Sequence, residues 1–312
     1  MPILLERPAD ILVHEISTRV RLGRGAPVRI TGRVIGPENA PACLVLGGIS
    51  SDRAVAASGD QPGWWSSQVG PDRPLDTHYF RVLSFDFLAE QAGAFPTTTD
   101  QARAILALAD AAGIERFSIV GASYGGMIAL ALAVLAPERI EKLLVISACH
   151  RASAMARAWR SIQRDTVELS LQQGDGRAGL DLARRLAMTT YRTPIELESR
   201  FYDPEPGCRD ADGVCAYLEA RGREFADRIT PQRFLALSRS MDGHCLDPAR
   251  IDCPVTYLAV IEDQLVPADQ IAEAARATPL GTLERIHSLY GHDAFLKEDA
   301  AISAAITRFL GN

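Results

Sequence analysis

The feature that most constrains this chain is Gly121-Ala122-Ser123-Tyr124-Gly125, set between an apolar run at 117–120 and a second apolar run at 127–135. The first run reads as a strand and the second as a helix, so the chain must reverse within a few residues around one serine. Such a turn tolerates only small neighbours, because a larger side chain would collide with the backbone beside it. The helix that follows aims its positive end at the place where an oxyanion would form next to the serine. A glycine-rich turn with Ser123 as an ordinary helix cap has the same local composition, but the strand before and the helix after match the nucleophile turn of G-x-S-x-G.

The rest of the chain is consistent with such a turn. Apolar runs at 27–35, 42–46, 81–85, 117–120 and 143–147, bounded by turn signals, read as strands of a largely buried sheet. Ala102, Ile105, Leu106 and Ala109 recur at helical spacing within 99–112, and the helix at 127–135 stops before Pro137. Strands alternating with helices predict an α/β fold with a mostly parallel sheet flanked by helices. From 151 to 242 the pattern becomes helical, with stretches at 152–171 and 180–191 and no strand. Alternation resumes with strands at 255–261 and 283–287 and a closing helix at 300–310. The expected organisation is a core of 1–150 and 243–312 with an inserted helical lid, 151–242, over the strand ends.

A serine hydroxyl is a weak nucleophile and needs a histidine base oriented by an acid, in the chain order serine, acid, histidine. Of six histidines, His14 and His78 precede Ser123, His150 and His244 bracket the insertion, and His287 falls in the last predicted strand. His292 lies in the loop after that strand, where the base belongs. The acid should follow the strand at 255–261, which offers Glu262, Asp263 and Asp269. Asp263 is preferred because Asp263-Gln264-Leu265-Val266-Pro267 forms a polar turn just beyond the strand, with Glu262 next in order. Two backbone N–H groups should meet the oxyanion: that of Tyr124 and that of Gly48 or Ile49, in Gly47-Gly48-Ile49-Ser50.

Composition narrows the partners. The 312 residues are 47% hydrophobic and carry 33 Lys+Arg against 39 Asp+Glu, a net charge of -6 that offers no footprint for nucleic acid or an anionic membrane. Lys142 and Lys297 are the two lysines, so nearly all positive charge is arginine. The six cysteines lack C-x-x-C spacing, which argues against zinc and for free thiols, although Cys208 and Cys215 share one predicted loop and could pair. Glu6, Arg7, Asp10, Glu15 and Arg19 leave no apolar core for a signal peptide, and the longest apolar run, 127–136, is too short to span a bilayer. The expectation is a soluble, cytoplasmic protein acting on small molecules, with no metal, nucleotide or flavin motif and no permanently bound cofactor.

Four stretches, three of them containing residues named above, resemble one family. Gly47-Gly48-Ile49-Ser50-Ser51-Asp52-Arg53, Gly121 to Met127, the lid segment Gly179 to Arg192, and Gly291-His292-Asp293-Ala294-Phe295-Leu296 are similar to the homoserine O-acyltransferases of the α/β-hydrolase superfamily. The resemblance implies an acyl-CoA cosubstrate whose acyl group passes through Ser123 to the hydroxyl of homoserine, a step toward methionine. It also implies Arg184 for the substrate carboxylate, with Tyr191 seven residues on, and Asp293 for the ammonium. The Gly-Gly-Ile-Ser-Ser-Asp-Arg form looks like the succinyl-transferring branch, with Arg53 or Arg192 as the partner of a second carboxylate. A homodimer joined through the lid is implied as well. Acetyl transfer, serine as acceptor, plain ester hydrolysis and a non-catalytic binding protein stay open at this point.

Overall fold

The computed structural model describes residues 12–21, 26–89, 95–202 and 211–311. Among these, eight strands form one sheet: β1 (Val13–Val20), β2 (Val28–Ile35), β3 (Ala42–Leu46), β6 (Arg81–Phe85), β7 (Phe117–Ala122), β8 (Ile140–Ile146), β9 (Val255–Val260) and β10 (Gly281–Ile286). β4 (Val69–Gly70) and β5 (Leu75–Asp76) make a separate two-stranded patch. The sheet order is β1-β2-β6-β3-β7-β8-β9-β10, antiparallel only where β1 meets β2 and β2 meets β6. From β6 to β10 every pairing is parallel.

The central strands β3, β7 and β8 are almost wholly buried, as expected of a parallel sheet covered on both faces. One apolar cluster joins α1 (Thr98–Ala111) and α2 (Tyr124–Leu135) to one face. A second, containing Trp65 and Phe295, covers the other face with the help of Ile302 and Ile306.

Among the described residues five α-helices run between β8 and β9: α3 (Ala154–Gln173), α4 (Arg177–Tyr191), α5 (Pro194–Phe201), α6 (Ala211–Arg228) and α7 (Pro231–Gly243). The chain then returns to the sheet through α8 (Ala268–Ala277), α9 (Ala294–Lys297) and α10 (Asp299–Leu310). The mostly parallel α/β sheet flanked by helices agrees with the sequence reading. β1 was not anticipated, and His287 lies one residue beyond β10 rather than within it. Cys208, and with it the pairing with Cys215, lies outside the described residues.

Helices α3 and α4 pack closely because Gly179 faces α3: a Cβ there would sit 2.5 Å from the Thr166 carbonyl oxygen and 2.8 Å from Val167 Cα. Gly222 gives α6 the same access to Asp181 on α4. Asp242, at the end of α7, takes Arg160 Nε at 2.6 Å and Arg164 Nη1 at 2.6 Å, which pins α3 to α7. His244 follows, buried, its Nδ1 2.8 Å from Thr98 Oγ1 at the head of α1. Burial lowers His244 to about 4, so it is a neutral polar link between the end of α7 and the start of α1.

Candidate active site

Ser123 sits where β7 becomes α2, with φ 53° and ψ -121°. That backbone is unfavourable for a residue with a side chain and costs about 1–3 kcal/mol, which the surrounding structure must hold in place. Gly121 and Gly125 make the turn possible: a Cβ on Gly121 would lie 2.8 Å from the Gly125 carbonyl oxygen, and one on Gly125 would lie 2.5 Å from Leu46. The Ser123 N–H donates to Ile146 O, and the Gly125 N–H donates to Gly47 O, so the turn is tied to β8 and to the loop after β3. The Tyr124 side chain anchors the turn from below. Its hydroxyl lies 2.8 Å from Ser240 Oγ of α7 and accepts from Gln101 Nε2 of α1, and burial pushes the phenol up to about 12.

The structure brings Ser123, His292 and Asp263 together. Ser123 Oγ is 2.9 Å from His292 Nε2, and His292 Nδ1 is 2.7 Å from Asp263 Oδ2. The other oxygen of Asp263 accepts the N–H groups of Leu265 and Val266 at 2.9 Å each, so the carboxylate is satisfied and fixed. With Asp263 accepting at Nδ1, the imidazole presents Nε2 as an acceptor to the serine hydroxyl. Burial works against a charged His292, but the charge and hydrogen bond of Asp263, with Asp293 adding to them, raise it above the ordinary imidazole value. Glu262 serves elsewhere: it accepts the Ser288 N–H at 2.8 Å and meets His287 Nδ1 at 2.7 Å, bracing the loop that carries His292. Asp269 is in the first turn of α8.

Two backbone segments converge on the serine. The position of a Cβ on Gly48 would be 3.9 Å from Ser123 Cβ, so this loop runs directly beside the nucleophile. Among the described residues the N–H groups of Gly48, Ile49 and Tyr124 have no acceptor, which leaves them free for an oxyanion. Gly47 is required because the Trp64 ring presses on it, 2.6 Å from where a Cβ would be.

Ser123 and His292 open into a cavity of about 310 Å³ that also reaches Gly48, Ile49, Arg184, Tyr191, Asp293 and Arg228. Arg184 and Tyr191 come from one face of α4, two helical turns apart. The Arg184 guanidinium lies 5.3 Å from the Tyr191 ring centre and 5.0 Å from that of Phe225. Held by rings rather than by an acid, with its buried Nε unpartnered, it keeps its charge available for an incoming carboxylate. Tyr191 in turn lies 5.6 Å from the His292 ring. Asp293 is buried and paired with Arg192 Nε at 3.0 Å.

Arg53 requires a correction. Although it follows the Gly47-Gly48 loop, it does not line the cavity: its N–H and guanidinium bind Asp86, and its Nε meets Glu15 of β1 at 2.6 Å. Arg192 is also engaged, by Asp293 and by Glu196 at 3.6 Å, and faces an outer groove. Sequence reasoning overlooked Arg228, which lines the cavity, Arg160, whose charge acts on His292 and Tyr191, and Trp64, Phe295 and Leu296 of the cavity wall. Arg228 and Arg160 lie in helices with no recognisable motif, so nothing in their immediate sequence marked them.

A family model described as the alpha/beta hydrolase fold matches residues 57–299. The homoserine O-succinyltransferase of Xanthomonas campestris pv. campestris is 41% identical over 291 residues, covering 91% of this chain and 79% of that protein. The homoserine O-acetyltransferase of Thermus thermophilus is 34% identical over 281 residues, covering 80% of this chain and 72% of that protein. The crystal structure of homoserine O-acetyltransferase from Bacillus anthracis superimposes with a TM-score of 0.85 at 16% identity, over 97% of this chain and 98% of that one, a likeness of fold.

Proposed function

The chain belongs to the alpha/beta hydrolase fold family and, within it, to the homoserine O-acyltransferases, and from that premise we propose that it is a homoserine O-succinyltransferase working through an acyl-Ser123 intermediate. The observation that carries this reading is the continuous set of contacts from Ser123 through His292 to Asp263, at the floor of a cavity that also holds Arg184 and Asp293.

His292 Nε2 takes the Ser123 proton as Oγ attacks the thioester carbonyl carbon of succinyl-CoA. The Tyr124 N–H and that of Gly48 or Ile49 meet the oxyanion. As the carbon–sulfur bond breaks, His292 returns the proton to the departing thiolate, leaving succinyl-Ser123. Homoserine then enters with its carboxylate on Arg184 and its ammonium on Asp293, and Tyr191 packs beside the base. His292 removes the hydroxyl proton, the homoserine oxygen attacks the ester carbon, and the proton returns to Ser123. Water and an alcohol compete for the same intermediate, so exclusion of water by the helical insertion 151–242, acting as a lid, favours transfer.

The higher identity to the succinyltransferase than to the acetyltransferase supports succinyl as the acyl group. Arg228 lines the cavity and is a cation available there for a second carboxylate, and Arg160, outside the lining but with an unpartnered Nη2, adds its charge near His292. Two arginines share the single Asp242, so one positive charge there lacks a matching acid. Among the described residues no helix is long and apolar enough to cross a membrane; we assign the enzyme to the cytoplasm, where acyl-CoA is available. A homodimer through the insertion is supported by Met155, Ile162 and Leu169 of α3, which are 57%, 53% and 59% exposed at seven-residue spacing.

Thiol release from succinyl-CoA and from acetyl-CoA, each with homoserine, serine or no acceptor, tests the reading. Homoserine-dependent release that is faster from succinyl-CoA is the expected result. Equal use of the two donors removes the succinyl assignment, and release indifferent to acceptor turns the enzyme into a thioesterase.

A further inference from the structure

A coenzyme A thioester is much larger than the 310 Å³ cavity at Ser123, so most of the donor must lie outside it. An open groove of about 590 Å³ adjoins that cavity and shares Arg184, Asp293 and Leu296 with it. Five basic side chains line the groove against two acids, Glu196 and Asp293, an excess of three positive charges in a chain whose net charge is -6.

The charges differ in how they are held. Arg192 is buried and spent on Asp293 and Glu196. Arg200 shares Glu196 at 2.9 Å while lying 4.5 Å from the Tyr217 ring centre, so one carboxylate serves two guanidinium groups. Arg221 meets Glu224 at 2.9 Å across one helical turn, a half-exposed pair of little strength. Lys297, one of only two lysines in the chain, stands at the end of α9 with no acid partner among the described residues. Side chains from α5 and α6 (Arg200, Arg221) and from α9 (Lys297) thus bring under-compensated positive charge to one groove, which adjoins the cavity that holds Ser123.

We propose that this groove is the docking site for the phosphates of the donor's nucleotide, with Arg200, Arg221 and Lys297 as the binding cations. The inference rests on the acyl-CoA reading above. Several cations around a groove recognise a multiply charged phosphate group better than one does, and arginine forks suit its oxygens. The energy would lower KM for the donor without touching the chemical step, because the phosphates are remote from the thioester and contribute equally to ground and transition states.

The test compares succinyl-CoA with a succinyl thioester of N-acetylcysteamine, which has the reacting group but no nucleotide. For the double variant Arg221→Glu and Lys297→Glu, KM for succinyl-CoA should rise roughly tenfold, with kcat unchanged. Its kcat/KM for the truncated donor should match wild type, and raising the salt should increase KM for succinyl-CoA more than for the truncated donor. An unchanged KM for succinyl-CoA in the double variant overturns the proposal, as does equal impairment with both donors. Calorimetric titration with adenosine 3′,5′-bisphosphate separates this from the acyl-transfer reading: binding to wild type that the double variant loses supports the groove even if no acyl transfer is detected. Absence of binding to wild type overturns the proposal even if transfer is confirmed.

Discussion

At the scale of single residues, the proposed mechanism requires two things of His292: that it be neutral when it takes the Ser123 proton and that its orientation be fixed. Its raised proton affinity means that a larger share of the free enzyme is protonated, and idle, as pH falls toward neutrality. The acid limb of kcat/KM should therefore have its midpoint above the ordinary imidazole value of about 6.5, with activity rising as pH increases through it. In Asp263→Asn the raising charge is gone, so the midpoint should shift downward while kcat falls by roughly 10³–10⁴. A pH–rate profile of the two proteins checks this, and an unmoved midpoint would contradict the role given to Asp263. These residues were legible because each lies in the segment that follows a strand, Ser123 after β7, Asp263 after β9 and His292 after β10, where chain order narrows the choice. Arg53 was misplaced for a complementary reason. Its position in the sequence is close to the oxyanion loop, but its guanidinium is claimed by Glu15 and Asp86, which are distant in the chain. Long-range ion pairs leave no local trace.

At the scale of elements, α4 joins two requirements. One face carries Arg184 and Tyr191 into the cavity, and Gly179 on the same helix allows α3 to approach. Gly179→Ala should cost about 1–3 kcal/mol of stability through overpacking, despite alanine's better helix propensity. It should also raise KM for homoserine more than it lowers kcat, because α4 moves while Ser123, His292 and Asp263 stay on the core. Urea unfolding and steady-state kinetics on the same variant measure both effects; a variant as stable as wild type would show that α3 gives way freely. The apolar strands β3, β7, β8 and β9 could be read directly, since a strand covered on both faces must be continuously hydrophobic. The edge strand β1 could not. It pairs with β2 alone and leaves His14, Glu15 and Ser17 exposed, so its composition resembles that of a charged loop.

At the scale of the whole molecule, the exposed stripe on α3 bears on assembly and the turn at Ser123 on stability. If Met155, Ile162 and Leu169 are covered by a second copy, Ile162→Asp should yield a monomer in sedimentation velocity while the fold persists; a monomeric wild type would refute the dimer at once. The α/β sheet was legible from alternation of strand and helix, and the run of helices between β8 and β9 from the interruption of that alternation. Its helix-to-helix packing was not, because it depends on glycines whose function appears only when two distant segments meet. The left-handed backbone at Ser123 has a consequence for the protein's history as well as its chemistry. Glycine relaxes that conformation, so Ser123→Gly should be as stable as wild type or more stable by up to about 1 kcal/mol, with a melting temperature no lower, while losing acyl transfer. A lower melting temperature would mean that the serine side chain contributes more to the fold than its backbone takes away. Drift that favours durability alone would thus discard the nucleophile first: the serine persists under selection for turnover, and a lineage freed from that selection would keep the architecture and lose the reaction.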